Sequence, residues 1–180
     1  VNNIEEIVPY LKERNKTVLV DGISSFGGIP INIDKLDIDF FVSSSNKCLH
    51  GFPGIGFVIA KKTALMNNRS SLSLDLWSQA SELNESNQFR FTPPPQIVNA
   101  LNESIIELIE EGGIDVRYEQ YKKYNKFLRN RLEDEAGLEP YISKENQGPI
   151  MVVFKYPYKN FSFDELYERL LKYNIVIYSA

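Results

Sequence analysis

Lys47 lies in Ser43-Ser44-Ser45-Asn46-Lys47-Cys48-Leu49-His50-Gly51, and Asp21 lies in Val18-Leu19-Val20-Asp21-Gly22. Each follows a short run of β-branched and aromatic residues that reads as a strand. A carboxylate at one strand end and an amine at another would meet at one edge of an α/β sheet, where such folds bind their ligands. An amine so placed can condense with an aldehyde. A carboxylate can hold a heterocyclic nitrogen protonated, so that the ring draws electrons from a carbanion. Pyridoxal 5'-phosphate is a cofactor that needs both groups.

The elements that must position this pair follow from periodicity. Ile4, Ile7, Val8 and Leu11 fall at helical spacing and precede a compact apolar strand from Thr17 to Val20, the second half of a βαβ unit. Ile38 to Ser43 and Gly56 to Ala60 supply two more strands, with Lys47 in their connection. Gly51-Phe52-Pro53-Gly54-Ile55-Gly56 matches neither a P-loop nor a dinucleotide fingerprint and reads as a tight turn passing close to a cofactor. Lys61 to Phe91 is polar and poorly periodic, and reads as a long surface excursion with Trp77 as an anchor. Thr92 before Pro93-Pro94-Pro95 reads as a helix start, with Ile97, Leu101, Ile105, Leu108 and Ile109 as the buried stripe and Gly112-Gly113 as the stop. A charged helix from about Asp115 to Glu135 would turn Tyr121, Tyr124, Phe127, Leu128 and Leu132 inward. A strand from Pro149 to Phe154, a helix opened by the capping box Ser162-Phe163-Asp164-Glu165 and a strand from Ile175 to Tyr178 complete the chain.

Val20-Asp21-Gly22-Ile23-Ser24-Ser25-Phe26-Gly27-Gly28-Ile29-Pro30, Ile38-Asp39-Phe40, Ser44-Ser45-Asn46-Lys47-Cys48 and Gly51-Phe52-Pro53-Gly54-Ile55-Gly56-Phe57-Val58-Ile59-Ala60 together closely resemble the class V aminotransferases of fold type I. The likeness continues through Arg69-Ser70-Ser71-Leu72-Ser73-Leu74-Asp75-Leu76, Arg90-Phe91-Thr92-Pro93-Pro94-Pro95, Glu110-Glu111-Gly112-Gly113-Ile114 and Gln147-Gly148-Pro149-Ile150, so it covers nearly the whole chain. It implies an α/β fold: part of the large domain of a pyridoxal-phosphate transferase over residues 1–112, then a small α+β C-terminal domain over residues 113–180.

The resemblance also implies roles. Lys47 matches the lysine that carries the cofactor and moves the substrate proton. Asp21 matches the partner of the pyridine nitrogen, Ile23 a side chain against the ring, and Asn46 a donor to the ring's phenolic oxygen. Thr92 matches a donor to the cofactor phosphate of the neighbouring subunit, which makes a homodimer the expected assembly. Plainer roles compete: a core Ile23, an Asn46 bonded to its own loop, and a Thr92 that only caps a helix. Cys48 reads as a small packing residue, and His50 as a hydrogen-bonding group behind the site or a turn residue, with no catalytic role. Within the class, the residues look most like those of enzymes that pass an amino group from 2-aminoethylphosphonate to pyruvate. Transamination of serine or alanine with pyruvate or glyoxylate, a non-catalytic fragment with an oligomer contact, and a cofactor-free Schiff-base lyase remain as alternatives. The family's phosphate loop and ring-stacking aromatic would precede Val1, and its substrate-anchoring arginine would follow the last strand. The expectation is therefore a C-terminal half without its last stretch, inactive by itself.

Bulk properties narrow the remaining classes. A chain of 180 residues with a formal net charge of −4 gives no footprint for nucleic acid. No run reaches the roughly 18 apolar residues of a membrane span, and the first residues lack a secretory layout, so the expected location is cytoplasmic. One cysteine and one histidine rule out a multi-histidine site and leave a zinc or iron centre almost no ligands to draw on.

Overall fold

The computed structural model describes residues 2–66 and 71–179. Asn67, Asn68, Arg69 and Ser70, which belong to the Lys61 to Phe91 excursion and partly to the family likeness, lie outside the described residues, as do Val1 and Ala180. The chain forms two compact units, Asn2–Tyr118 and Glu119–Ala180.

In the first unit, helix α1 (Ile4–Lys12) leads into strand β1 (Leu19–Asp21), followed by β2 (Phe40–Ser44) and β3 (Gly56–Ala60). The sheet order is β1-β2-β3. β1 runs parallel to β2 with Asp21 opposite Val42, and β3 runs antiparallel to β2. The expected strands therefore form, shifted toward the chain's C-terminus by one or two residues at β1 and β2. Side chains alternate across a strand, so Val18 and Val20 share one face with Phe41. That face carries the core: Val8, Val18, Ile38 and Phe41 are buried, with Ile4, Leu11, Phe26, Ile31 and Ile33 packed around them. Each fully buried aliphatic or aromatic side chain stabilises the fold by about 1.5–3 kcal/mol.

A carboxylate pins this core at its polar rim. Asp39 is buried at the entry to β2 and accepts from Lys12 Nζ at 2.9 and 2.8 Å and from the Val18 amide at 2.8 Å. It thus ties the end of α1 to the starts of both parallel strands. The Lys12 contact holds the Asp39 carboxyl below the ordinary carboxylate range, against the opposing effect of burial, and the Val18 amide adds to it.

The excursion after β3 is more regular than its text suggests. A short 3-10 turn (Lys62–Ala64) and helix α2 (Leu76–Ser86) occupy it. Asp75 caps α2 by accepting from the Ser78 amide at 3.1 Å and the Ser78 hydroxyl at 2.9 Å, and these bonds lower its pKa. Asn87 closes the helix in the left-handed conformation, and Trp77 is half-buried. The Asp75-to-Ser78 spacing was the available sequence signal; weak apolar periodicity hid it.

Helix α3 (Pro95–Glu110) starts later than expected, with Pro94 at its N-cap. Its inward stripe is Ile97, Leu101, Ser104 and Leu108, whereas Ile109 is 68 % exposed and Ile105 also faces outward. The helix ends in a Schellman turn: the Gly113 amide donates to Leu108 O at 2.9 Å and the Gly112 amide to Ile109 O at 3.1 Å. Gly112 has φ +105°, a conformation open to glycine but strained for other residues. Helix α4 (Ile114–Asp134) follows directly.

In the second unit the inner side of α4 carries Tyr121, Asn125, Arg129 and Leu132, while the expected Tyr124, Phe127 and Leu128 are exposed. Burial of Arg129 is tolerated because each nitrogen of its guanidinium has an acceptor: Glu133 for Nε, Gln147 Oε1 at 3.2 Å for Nη1 and the Ile142 carbonyl at 2.9 Å for Nη2. Helix α5 (Phe163–Leu171) is capped by Ser162, whose Oγ accepts from the Glu165 amide at 3.2 Å; Glu165 itself pairs with Arg169 rather than closing the box. The two strands expected here do not form ladders. Pro149 to Phe154 makes one bridge, Phe154 opposite Pro140, and Ile175 to Tyr178 forms no bridge among the described residues, its first amide bonding back to Leu170 O at 3.1 Å. A β-branched run becomes a strand only where a neighbour supplies its hydrogen bonds.

Replacing Asp39 by Ala leaves the Val18 amide without its acceptor and Lys12 without its nearer carboxylate, and should cost about 1–3 kcal/mol in denaturant unfolding. A carboxyl whose folded pKa is lowered contributes stability above the ordinary carboxylate range and loses it as pH falls through the folded value. The melting temperature of wild type should therefore fall more steeply between pH 6 and 3 than that of Asp39→Asn, a comparison thermal scans make directly.

Candidate active site

Parallel pairing of β1 with β2 brings the C-terminal ends of both strands to the same edge of the sheet. Asp21 is the last residue of β1, and Lys47 stands three residues beyond the end of β2. Both are exposed, as are Asn46 and Thr92, while Ile23 is half-buried.

The Asp21 carboxylate accepts from the Ile23 amide at 3.0 Å, which turns the chain away from the sheet. The Gly22 amide donates to Val42 O at 2.9 Å and extends the ladder by one step. Two overlapping turns then run from Gly22 to Ile29. Phe26 anchors them against the rings of Phe41 and Phe57, with centroids 5.8 and 5.2 Å apart.

The lysine loop is closed by Ser45. This residue continues the buried face of β2 after Phe41 and Ser43, and it is fully buried. Its amide donates to Ile55 O at 3.1 Å, its carbonyl accepts from the Gly51 amide at 2.8 Å, and its hydroxyl donates to Phe52 O at 2.5 Å. The His50 amide donates to Lys47 O at 2.9 Å, with His50 at φ 61°. Cys48 and Leu49 point inward, so the loop offers Asn46 and Lys47 to solvent. Ser44 Oγ donates to Asn46 Oδ1 at 2.9 Å, which leaves the Nδ2 hydrogens of Asn46 as outward donors.

The two loops interlock. Cys48 Sγ donates to Ser24 O at 3.4 Å, and Leu49 packs so closely on Gly27 that an added Cβ there would stand 2.8 Å from its side chain. Helix α3 backs the lysine loop at Gly51, where a Cβ would lie 2.8 Å from the Ser45 carbonyl oxygen and 3.2 Å from Ser104 Oγ. Cys48 is thus the packing residue its text suggests. Thr92 is not a helix cap, because the cap falls on Pro94, two residues later. Prolines at residues 93 to 95 hold the segment extended before the helix can start.

Arg117, on the first turn of α4, was not legible as part of this region. Its guanidinium is 2 % exposed and its Nη1 donates to Cys48 O at 2.7 Å. An arginine in a charged helix reads as a surface residue, and only the fold shows it turned inward. Ser45 had a signal, the period-2 continuation of a buried strand face.

An amine and a carboxylate on interlocked loops at the C-terminal ends of adjacent parallel strands suit a cofactor bearing an aldehyde and a basic ring nitrogen. Among the described residues no cluster of His, Cys, Asp and Glu could hold a metal ion, and no helix is long and apolar enough to cross a membrane. The fold and this edge define a class. A family profile described as "Aminotransferase class-V" matches residues 1–179, and the chain belongs to that family. It is 44 % identical over 181 residues to a 2-aminoethylphosphonate–pyruvate transaminase of Lysinibacillus sphaericus, covering 99 % of this chain and 49 % of the relative. It is 43 % identical to the enzyme of that name from Bacillus cereus, covering 99 % of this chain and 50 % of the relative. The chain therefore spans about half the length of these curated relatives. An alanine–glyoxylate aminotransferase structure from Nostoc superposes with a TM-score of 0.82 at 25 % identity, over 94 % of this chain and 46 % of the other. A ureidoglycine–glyoxylate aminotransferase from Bacillus subtilis does so with a TM-score of 0.85 at 19 % identity, over all of this chain and 48 % of the other. The fold is that of the fold type I transferases.

Gly51→Ala tests how tightly the lysine loop is held. The added methyl has only backbone and a buried serine to displace, so it should destabilise by about 1–3 kcal/mol in urea. Gly56→Ala, where the nearest atom to an added Cβ is Ser43 O at 3.7 Å, meets no such clash.

Proposed function

We propose that this chain supplies the lysine-bearing part of a pyridoxal-phosphate-dependent aminotransferase that passes the amino group of 2-aminoethylphosphonate to pyruvate, giving phosphonoacetaldehyde and L-alanine. The observation that carries the reading is the placement of Asp21 and Lys47 on interlocked loops at one edge of the parallel pair. The substrate pair is supported by the relatives at 44 % and 43 % identity, against 25 % for the alanine–glyoxylate enzyme.

When bound, pyridoxal phosphate supplies an aldehyde that captures amines and a protonated ring that accepts electrons from carbon. Lys47 Nζ would be the amine that holds the cofactor and the base that takes and moves the proton of the substrate's amino-bearing carbon. The Asp21 carboxylate would keep the proton on the ring nitrogen, oriented by the hydrogen bond it accepts from the Ile23 amide, and the Ile23 side chain would flank the ring. Asn46 Nδ2 would donate to the ring's phenolic oxygen, with the amide oriented by Ser44. Thr92 would donate to the cofactor phosphate of a partner subunit, which makes a homodimer with shared sites the working form.

Borohydride reduction of the protein with pyridoxal phosphate should add one cofactor to the Lys47 peptide by mass spectrometry. Lys47→Ala should abolish that adduct and leave the circular dichroism spectrum unchanged, since an exposed lysine adds little to the core. Labelling spread over surface lysines would refute the assignment. In protein of the relatives' full length, Asp21→Asn should still allow capture but lower the transamination rate about 10²–10³-fold, the scale of losing one preorganised electrostatic partner.

A further inference from the structure

We propose that Arg117 is a positioning residue for Lys47: it clamps the loop through the carbonyl of Cys48 and thereby holds the amine at the sheet edge. The inference rests on the reading of Lys47 given above.

The clamp begins at the stop of α3. The Schellman turn at Gly112-Gly113 reverses the chain within a few residues, so that Glu111, the C-cap of α3, and Arg117, on the first turn of α4, face one another. Arg117 Nε and Nη2 donate to the same carboxylate oxygen of Glu111 at 2.8 and 2.6 Å. The remaining arm, Nη1, donates to Cys48 O at 2.7 Å in a buried bond.

Burial makes this arrangement costly unless every part is used. A guanidinium at 2 % exposure needs a counter-charge and acceptors for its hydrogens, and removing either leaves an uncompensated polar group in the interior. The planar fork serves two acceptors in different directions at once, which a lysine ammonium on a flexible stem does not reproduce. The residue so held is the immediate neighbour of Lys47. The rest of the loop is fixed by Ser45 and by the His50 amide bond to Lys47 O, so Cys48 O is where the α3–α4 junction reaches the loop through a hydrogen bond. The exposed side of the pair is Glu111, whose side chain is 45 % exposed. A packing role alone would be met by an apolar side chain and would need no bond to that carbonyl.

Cys48 is 5 % exposed, so thiol labelling under native conditions, read on the Cys48 peptide by mass spectrometry, reports opening of this loop and needs no cofactor. In protein of the relatives' full length, Arg117→Met should speed labelling of Cys48 about tenfold or more at temperatures equally far below each variant's melting point. Arg129→Met, which removes the buried arginine of the other unit, should leave the rate near wild type. Glu111→Gln, which keeps an acceptor but not the charge, should give a smaller increase in the same direction. Arg117→Lys should recover melting temperature more fully than it recovers Cys48 protection. Reductive capture of pyridoxal phosphate at Lys47 should fall about tenfold in Arg117→Met, with labelling of other lysines unchanged. The proposal is overturned if Arg117→Met labels no faster than Arg129→Met, or if Arg117→Lys restores stability and protection together. It is also overturned if Lys47 capture is unaltered while Cys48 opens. Failure of wild-type Lys47 to capture the cofactor would instead defeat the functional reading, and the labelling comparison would still decide whether the clamp exists.

Discussion

The parallel pairing of β1 with β2 is the constraint on which the site depends. Two parallel strands end on the same edge, so a carboxylate at the end of one and an amine beyond the end of the other come to one edge of the sheet although 26 residues separate them in sequence. The pairing is held at its other end by Asp39, which binds the Val18 amide at the start of β1 and Lys12 at the end of α1. Had β1 run antiparallel, Asp21 would lie at the end of the sheet remote from Lys47. Stability at one end of the ladder is thus coupled to geometry at the other.

Beyond the strands, each loop of the site is closed largely by hydrogen bonds to and from the backbone. Ser45 uses its amide, carbonyl and hydroxyl to close the lysine loop, and the Asp21 loop uses a carboxylate-to-amide turn and two overlapping backbone turns. Buried backbone groups demand partners, so each loop has few alternative conformations. The outcome is that Asn46 and Lys47 are presented on a rigid rim while the residues on either side of them are buried. Preorganisation of this kind lowers the entropy lost when a ligand binds.

Buried arginines play the same part in each unit. Arg117 joins the α3–α4 junction to the Cys48 carbonyl in the first, and Arg129 joins α4 to the Ile142 carbonyl and Gln147 in the second. Both occupy a helix whose many charges read as its solvated side. In each case a glutamate of the same region neutralises the charge, which is what makes burial tolerable.

By itself the sequence determined the local elements and the chemistry. The spacing of Ile4, Val8 and Leu11, the apolar run at Phe40 to Val42 and the Gly112-Gly113 stop are local signals, and local hydrogen bonding and side-chain period decide them. The residue types at Asp21 and Lys47 and their likeness to class V aminotransferases pointed to the cofactor chemistry for the same reason: the motifs are short and contiguous. What only the tertiary structure decided depends on partners distant in the chain. Ile175 to Tyr178 has strand-like composition but no pairing neighbour among the described residues, Ile109 sits at helical spacing yet faces outward, and Thr92 precedes prolines that move the helix cap past it. Arg117 is the clearest case. Nothing in its neighbours along the chain distinguishes it from a surface charge, and its burial follows from Glu111 across a turn and from a carbonyl in a loop 69 residues away.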